Sequence, residues 1–600
     1  MMKPLTDLEL LRGAPLGHLR AIAEARRLPP AAAPAVSAGS LVLEEMARRL
    51  FHEPALREAL RGLSPPQWAI LRELARCGGQ ASSYDLRAYV IVAGLIPDSG
   101  RVPDAQIRLY ELVLGQLLGL GLVFWGRLDA VAAREYASGA HEGLLVVPPS
   151  VLALLAAPDA PVEEAPAAHW QPRAPRLALP EALQRDLYCY WSHVREQADG
   201  LALLTNGLLP KSALRPLNAA LTLKGEIDDI KSEQDALRLF FLRLLGQALG
   251  LLEVRSNTVR AIDASAFFAL SLAERVQRCF AAWRDGTFWN EFLHLPGVTL
   301  RPPPPLEAAR PEVLRARQAA LALLREEAPD CWISRAVFLA LARLRRPHLL
   351  FVPRGKGPAV YAAAAGNLAG REFRSRAGWL LFRDGQAQVE GAFLAAMLEG
   401  PLHWLGAVDL DYASSGEPAA YRLSPVGLAL LGQADWPPEL TETEPGRLVI
   451  QPNFEMLALP PVRESMLLFL DQVAERWSFD QVAQYRLTRE RWLAALQQGN
   501  SAALIERLEY MAQAALPQNL RYSLLEWERQ AQRVRLHRHV ALLEVQEAAL
   551  LDSFLADSTL APLIIRRLAP TAALVDRRQL FRLYAALLER GHLPRSVYPA

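Results

Sequence analysis

Cysteine is scarce and scattered: Cys77, Cys189, Cys279 and Cys331 are the only four, and no Cys-x-x-Cys pair occurs. That excludes a zinc ribbon and a secreted disulfide scaffold. Long apolar runs are missing as well. The greasiest stretch, near Leu237–Val254, is broken by Arg238 and Arg243 and reads as a buried helix, so no membrane association is expected. The opening residues Met1-Met2-Lys3-Pro4-Leu5-Thr6-Asp7 put an acid where a signal peptide needs an apolar core, and a cytoplasmic location is expected by elimination. A surplus of one charge is also lacking, with 66 Lys and Arg against 64 Asp and Glu and a net charge of +2. This excludes a histone-like polycation and confines any nucleic-acid surface to a local patch.

Catalytic signatures are missing too. A nucleotide-driven motor needs a Gly-rich loop ending in Lys-Ser/Thr, whose amides cradle phosphates. The nearest stretch, Arg354-Gly355-Lys356-Gly357-Pro358, lacks both the spacer and the hydroxyl and reads as a turn. No Asp-Glu-Ala-Asp/His-like box and no G-x-S-x-G elbow are present. His52-Glu53 and His141-Glu142 begin like a zinc-peptidase motif, but Leu56 and Leu145 stand where the second histidine belongs. Asp409 and Asp411 would share one side of a strand and could hold a divalent ion, but a solvated wing edge is the expected reading. Catalytic residues, cofactors and metals are therefore all expected to be absent. An enzyme whose groups converge from distant positions is the remaining catalytic reading.

With 51% hydrophobic and 22% charged residues, the chain has ordinary globular composition and enough apolar surface for several cores. Pro/Ala-rich stretches at 158–180 and 295–311 read as linkers, and Trp436–Gly446 as a boundary. The expected pieces are 1–157, 181–294, 312–436 and 446–600. The first three share an order: an amphipathic helix runs into a Leu-Gly step, followed by two short strands. The steps are Leu118-Gly119-Leu120-Gly121, Leu249-Gly250 and Leu405-Gly406, and the second strands are Leu144–Val147, Val259–Ile262 and Tyr421–Leu423. Helix, glycine stop and two-stranded wing is the order of a winged helix-turn-helix.

The first copy is the most complete. Pro65–Ala75 has helical spacing, Gly78-Gly79 turns the chain, Ser82-Ser83 caps a helix from Tyr84, and Ile107–Leu118 is the recognition-type helix. That helix offers Gln106, Arg108 and Gln116 but also Asp104 and Glu111, a poor base-reading set. Arg108 is its candidate DNA contact. Winged-helix units also serve as plain protein-binding modules.

From Gly446 onward the pattern sharpens. Arg447–Glu455 reads as a strand entering a Pro-Asn turn, and Val462–Trp477 as a helix with Met466, Phe469, Leu470, Val473 and Trp477 on its apolar face. Tyr485-Arg486-Leu487-Thr488 is a short strand whose threonine caps the helix Arg489–Gln497, and Ala502–Ala514 is a further helix. Ser523-Leu524-Leu525-Glu526 has capping-box spacing. Tyr485 and Trp492 lie within apolar periodicity and read as core, not as base-stacking rings. The strand Arg533–Val545 alternates, with Arg533, Arg535, His537 and His539 on one face. Such a face can lie along phosphates, or serve as a charged edge that resists aggregation.

Tyr485-Arg486-Leu487-Thr488, then Ala495-Leu496-Gln497-Gln498-Gly499 with Ile505-Glu506-Arg507-Leu508 and Leu516-Pro517, then Arg533-Val534-Arg535-Leu536 form an ordered set. It resembles the domain found at the N-terminus of XPB/Ssl2-type DNA repair and transcription helicases, which also occurs in bacterial helicase-associated proteins without a motor. Gly400–Gly406 and the tail from Arg567 to Pro594 are similar to those bacterial proteins too. The resemblance implies DNA and an XPB-like helicase as partners, without ATPase activity in this chain. The expected fold is mainly α with small β-wings, tandem winged-helix-like units followed by an α+β C-terminal domain. The expected function is that of a non-catalytic DNA-associated accessory protein in DNA repair or transcription. The alternatives are an interaction scaffold that touches no DNA and a sequence-specific transcription regulator.

Overall fold

A computed structural model describes residues 5–29, 40–97, 104–126, 139–156, 170–225, 227, 229–295, 298–301, 310–326, 329–347, 349, 372–375, 378–379, 386–442, 446–479, 482–497, 500–532 and 540–595. Helix outweighs strand, 55% to 14%, and the strands form small antiparallel sheets, so the chain is mainly α with small β-wings. It divides into two compact units, Met1–Glu444 and Pro445–Ala600.

Within the first unit one topological order occurs three times. The first copy runs α1 (Pro65–Arg76), β1 (Gln80–Ser82), α2 (Ser83–Val92), α3 (Ala105–Gly119), β2 (Phe124–Trp125) and β3 (Leu144–Val146). After β4 (Pro175–Arg176) the second runs α4 (Pro180–Glu196), β5 (Leu201–Ala202), α5 (Lys211–Ala220), α6 (Leu237–Ala248), β6 (Leu252–Arg255) and β7 (Thr258–Ala261). The third runs α7 (Arg310–Arg325), β8 (Ile333–Ser334), α8 (Arg335–Arg345), α9 (Gly391–Met397), β9 (Val408–Tyr412) and β10 (Pro418–Leu423). In each, the closing hairpin pairs its last strand with the strand that precedes the second helix: β1-β3-β2, β5-β7-β6 and β8-β10-β9.

The same local device ends the third helix each time. Gly121, Gly250 and Gly406 adopt φ of +67°, +71° and +85°. The next residue returns its N–H to a carbonyl five residues back: Leu122 to Leu117 at 3.2 Å, Leu251 to Gly246 at 2.8 Å and Ala407 to Leu402 at 2.8 Å. A left-handed residue at this point satisfies carbonyls that the helix end leaves open, and glycine adopts it without the Cβ penalty. The Leu-Gly steps of the sequence are these stops. As the sequence implied, Ser82 caps α2, its hydroxyl accepting the Asp85 N–H at 3.4 Å.

Two stretches that read as linkers carry structure at their ends. From Trp170 the chain is fastened to the third copy, where β4 pairs with β9. Residues 298–301 pair with 372–375 in a separate small sheet. The first and third copies also share a core, which α8 enters through Leu341 and Leu344.

The second unit opens with β11 (Arg447–Ile450), β12 (Glu455–Leu459), α10 (Glu464–Val473), β13 (Glu475–Phe479) and β14 (Ala483–Arg486), the strands forming one sheet in the order β11-β12-β14-β13. Next come α11 (Arg489–Ala495), α12 (Ser501–Ala512), α13 (Gln518–Gln532), β15 (Val540–Glu544), α14 (Ala548–Ala556), β16 (Ile564–Ala569), β17 (Ala572–Asp576) and α15 (Leu580–Glu589). β15, β17 and β16 make a second sheet, over which Leu551, Phe554, Leu583 and Leu587 build a small core of their own.

Two sequence expectations fail here for local reasons. The helix from Val462 does not reach Trp477: Ala474 is extended (φ −141°, ψ 166°), and Arg476 and Ser478 pair with β14, leaving Trp477 exposed on an edge strand. Backbone pairing at a sheet edge, in a segment rich in aromatic residues, outweighs the helical spacing of the apolar side chains. Ser523 starts no helix. It lies inside α13, which begins directly behind Pro517, and its hydroxyl donates back to the Asn519 carbonyl at 2.9 Å.

Candidate nucleic-acid interface

A winged helix-turn-helix that reads bases must present polar, cationic side chains from its third helix. α3 buries Tyr110, Val113, Leu114, Leu117 and Leu118, and its outward line carries Arg108, the apolar Leu112 and Gln116. Arg108 is therefore exposed as expected, but no second cation of α3 stands beside it. α6 is nearly enclosed and its two arginines point into ion pairs. Arg238 bonds Asp186 at 2.7 Å, and Arg243 holds Glu233 with two bonds of 2.6 and 2.8 Å. α9 buries Gly391, Phe393, Leu394, Ala395 and Met397. The second and third copies thus offer no cationic recognition helix among the described residues.

Some arginines of the first unit are internal fasteners, while others, Arg61, Arg215 and Arg260 among them, stand exposed. Arg317 is fully buried, bidentate on buried Glu291 at 3.0 Å and 3.0 Å, and its remaining donors reach the carbonyls of Trp283, Gly286 and Trp289. Arg345 of α8 ties Glu73 of α1 at 3.0 Å, joining the third copy to the first. The planar guanidinium, with five donors, suits such enclosed carboxylate and carbonyl cages.

Asp409 and Asp411 follow the same logic, and the expectation of a solvated wing edge is corrected. Both carboxylates are buried. Asp411 accepts the Trp170 indole N–H at 2.8 Å and the backbone N–H groups of Arg173 and Ala174 at 3.0 and 2.7 Å. Burial opposes its charge, but the bonds from Trp170, Ala174 and Arg173 outweigh it and hold the carboxyl below the usual range. Asp409 accepts the Ala178 N–H at 2.8 Å and pairs with Arg422 at 2.6 Å. Apart from Arg422, their partners lie more than 200 positions upstream, beyond the reach of a local reading. No cluster of three metal-ligating side chains occurs among the described residues.

In the second unit, Tyr485 and Trp492 are fully buried, and the Tyr485 hydroxyl donates to Asp471 at 2.9 Å, so neither ring is available for stacking on a base. Thr488 caps α11, accepting the Arg491 N–H at 3.4 Å. Arg533, Arg535, His537 and His539 lie outside the described residues, as does the Arg354–Pro358 turn.

What the sequence reading missed is a different surface. Among the described residues every large exposed aromatic belongs to the second unit: Trp477, Tyr510, Tyr522, Phe581 and Tyr584. Exposed arginines accompany them, including Arg486, Arg489 and Arg491 around the start of α11 and Arg577, Arg578 and Arg582 around the start of α15. None of these six has an ion-pair partner among the described residues. Exposed rings interleaved with unneutralised cations are the elements from which single strands are gripped, rings for bases and cations for phosphates. The signal was present in the sequence, as Arg577-Arg578-Gln579-Leu580-Phe581-Arg582-Leu583-Tyr584, but Phe581 and Tyr584 pass for core until the face of α15 is known.

Comparison with known families places a match in this unit. The family described as helicase conserved C-terminal domain matches residues 448–569, about a fifth of the chain, running from β11 to the end of β16. No curated protein matches the sequence. The second unit therefore carries a helicase-related stretch, which fits a helicase-associated role.

Proposed function

Starting from that helicase-related stretch, we propose that the protein is a non-catalytic, DNA-associated accessory that works beside a separately encoded XPB-type helicase in DNA repair or transcription. The second unit is its DNA-facing part, related to the N-terminal domain of XPB/Ssl2 helicases and without a motor of its own. The observation that carries this reading is the concentration of exposed aromatics and unpaired arginines in the one unit that also bears the helicase-family match. Fluorescence anisotropy on labelled forked and duplex DNA tests it. Binding at low salt that falls steeply toward physiological salt is expected. Absence of binding at low salt defeats direct contact.

The first unit favours a second, compatible role. Its repeated order, helix–strand–helix–helix–hairpin with the sheet order first–third–second, supports reading the three copies as winged helices. The enclosed third helices of the second and third copies, and the lone cation on that of the first, support protein binding by that unit in place of base reading. Exposed apolar residues on the second wing and its flanks, Val254 and Ile262, suit such contacts. A partner helicase that binds the full chain with unchanged affinity in the presence and absence of DNA is the expected result. Binding that depends wholly on DNA would count against the scaffold role.

A further inference from the structure

We propose that the outer face of α15, with the 3₁₀ turn Arg577–Gln579 that leads into it, is a binding site for single-stranded nucleic acid. This rests on the reading of the second unit as DNA-facing and names the place and the form of DNA. It lies beyond the residues matched to the helicase family.

α15 has one committed side. Leu583 and Leu587 enter the small core of the second sheet. On the other side Phe581 stands 84% exposed, with Tyr584 at 39% and Leu588 also open, at i, i+3 and i+7 along one line. Leaving a phenylalanine ring this far in water forgoes the burial that an apolar side chain ordinarily gains.

At its amino end the charge runs against the helix dipole. Arg582 lies in the first turn, where no acidic residue stands, and Glu589 closes the last. The amino end of a helix already carries partial positive charge and favours anions. Arg577 and Arg578 add two more cations there. Nearby arginines differ: Arg567 pairs with Asp552, and Arg590 pairs with Asp557 at 2.7 Å. Asp576, the acid closest in sequence, is occupied in capping, accepting the Arg578 backbone N–H at 2.9 Å. Three guanidinium groups without an ion-pair partner among the described residues, gathered at a positive helix end, make a site for phosphates.

Arg577 and Arg578 stand four and three residues before Phe581, so a strand whose phosphates they hold would bring a base toward Phe581 and, one turn on, another toward Tyr584. Such stacking needs bases free of a duplex.

The test uses the full chain, with labelled oligo-dT and a mixed-sequence duplex of equal length, titrated at low and near-physiological salt. F581A is expected to weaken oligo-dT binding about tenfold and leave duplex binding unchanged. R577Q/R578Q/R582Q is expected to weaken it by tenfold or more at low salt and reduce the log–log salt slope by about 2. R577K/R578K/R582K, which keeps the charge, retains that slope and guards against a folding artefact. Wild-type binding to oligo-dT that both F581A and the Gln variant leave intact overturns the site while sparing the proposed function. Equal losses on duplex overturn the single-strand assignment. Variants that alter only self-association, read by sedimentation, make the face a protein contact and overturn it too. A wild-type chain that binds neither DNA removes the proposed function together with the site.

Discussion

Two sets of arginines, one in each unit, are placed in opposite ways. In the first, Arg317, Arg243 and Arg345 are buried and spend their donors on Glu291, Glu233 and Glu73. In the second, Arg577, Arg578 and Arg582 stand in water near exposed rings, without an ion-pair partner among the described residues. The same side chain is a rivet at the first three sites and an open hand at the second three, and the near-neutral total charge conceals the difference. A folded scaffold of winged repeats gains rigidity from enclosed ion pairs. A surface meant for a polyanion must leave its cations unneutralised.

Substitutions can break or sharpen this contrast. The largest effect is expected from E291A, which strands a buried guanidinium. It should cost the first unit about 3–5 kcal/mol in urea unfolding, with oligo-dT affinity unchanged wherever the chain is still folded. A smaller loss, about 2–3 kcal/mol, is expected for D411A, which leaves the Trp170, Arg173 and Ala174 N–H groups without their shared acceptor. Limited proteolysis should then cut near residue 170 first.

pH separates the units by another route. Burial pushes His18 and His294 down to about 4 from an ordinary 6.5, with a backbone bond at Leu118 partly opposing the shift at His18. Both stay neutral in the folded chain, whereas the unfolded chain takes up protons below about 6.5. Stability of the first unit should therefore be flat above about pH 6.5 and fall as pH drops toward about 4. Arginine does not titrate in this range, so oligo-dT affinity should change little between pH 7.5 and 6. Urea midpoints and anisotropy across the same pH series check both halves.

The turn glycines come next. G406A forces an L-residue to φ +85° and brings its Cβ to 2.7 Å from Pro180, for an expected loss of about 1–2 kcal/mol. The smallest effect, about 1 kcal/mol, is expected for T488A, which removes the α11 cap.

Features legible in the sequence were those written in adjacent residues. The Leu-Gly stops, the Ser82 and Thr488 caps, the first copy's helices and the buried character of Tyr485 and Trp492 all follow from local spacing, and the structure places them accordingly. Features set by distant partners were not. The burial of Asp409 and Asp411 depends on the 170–178 segment, the fate of Trp477 on an edge pairing with β14, and the enclosure of α6 on Asp186 and Glu233. The α15 face escaped notice because apolar residues at helical spacing look alike whether they face a core or water.

Hydrogen exchange of the full chain with and without oligo-dT tests the division of labour most directly. Protection confined to the second unit and centred on peptides spanning 577–588, with 105–119 unchanged, is the predicted result. Protection of 105–119 around Arg108, with none in the second unit, would contradict it.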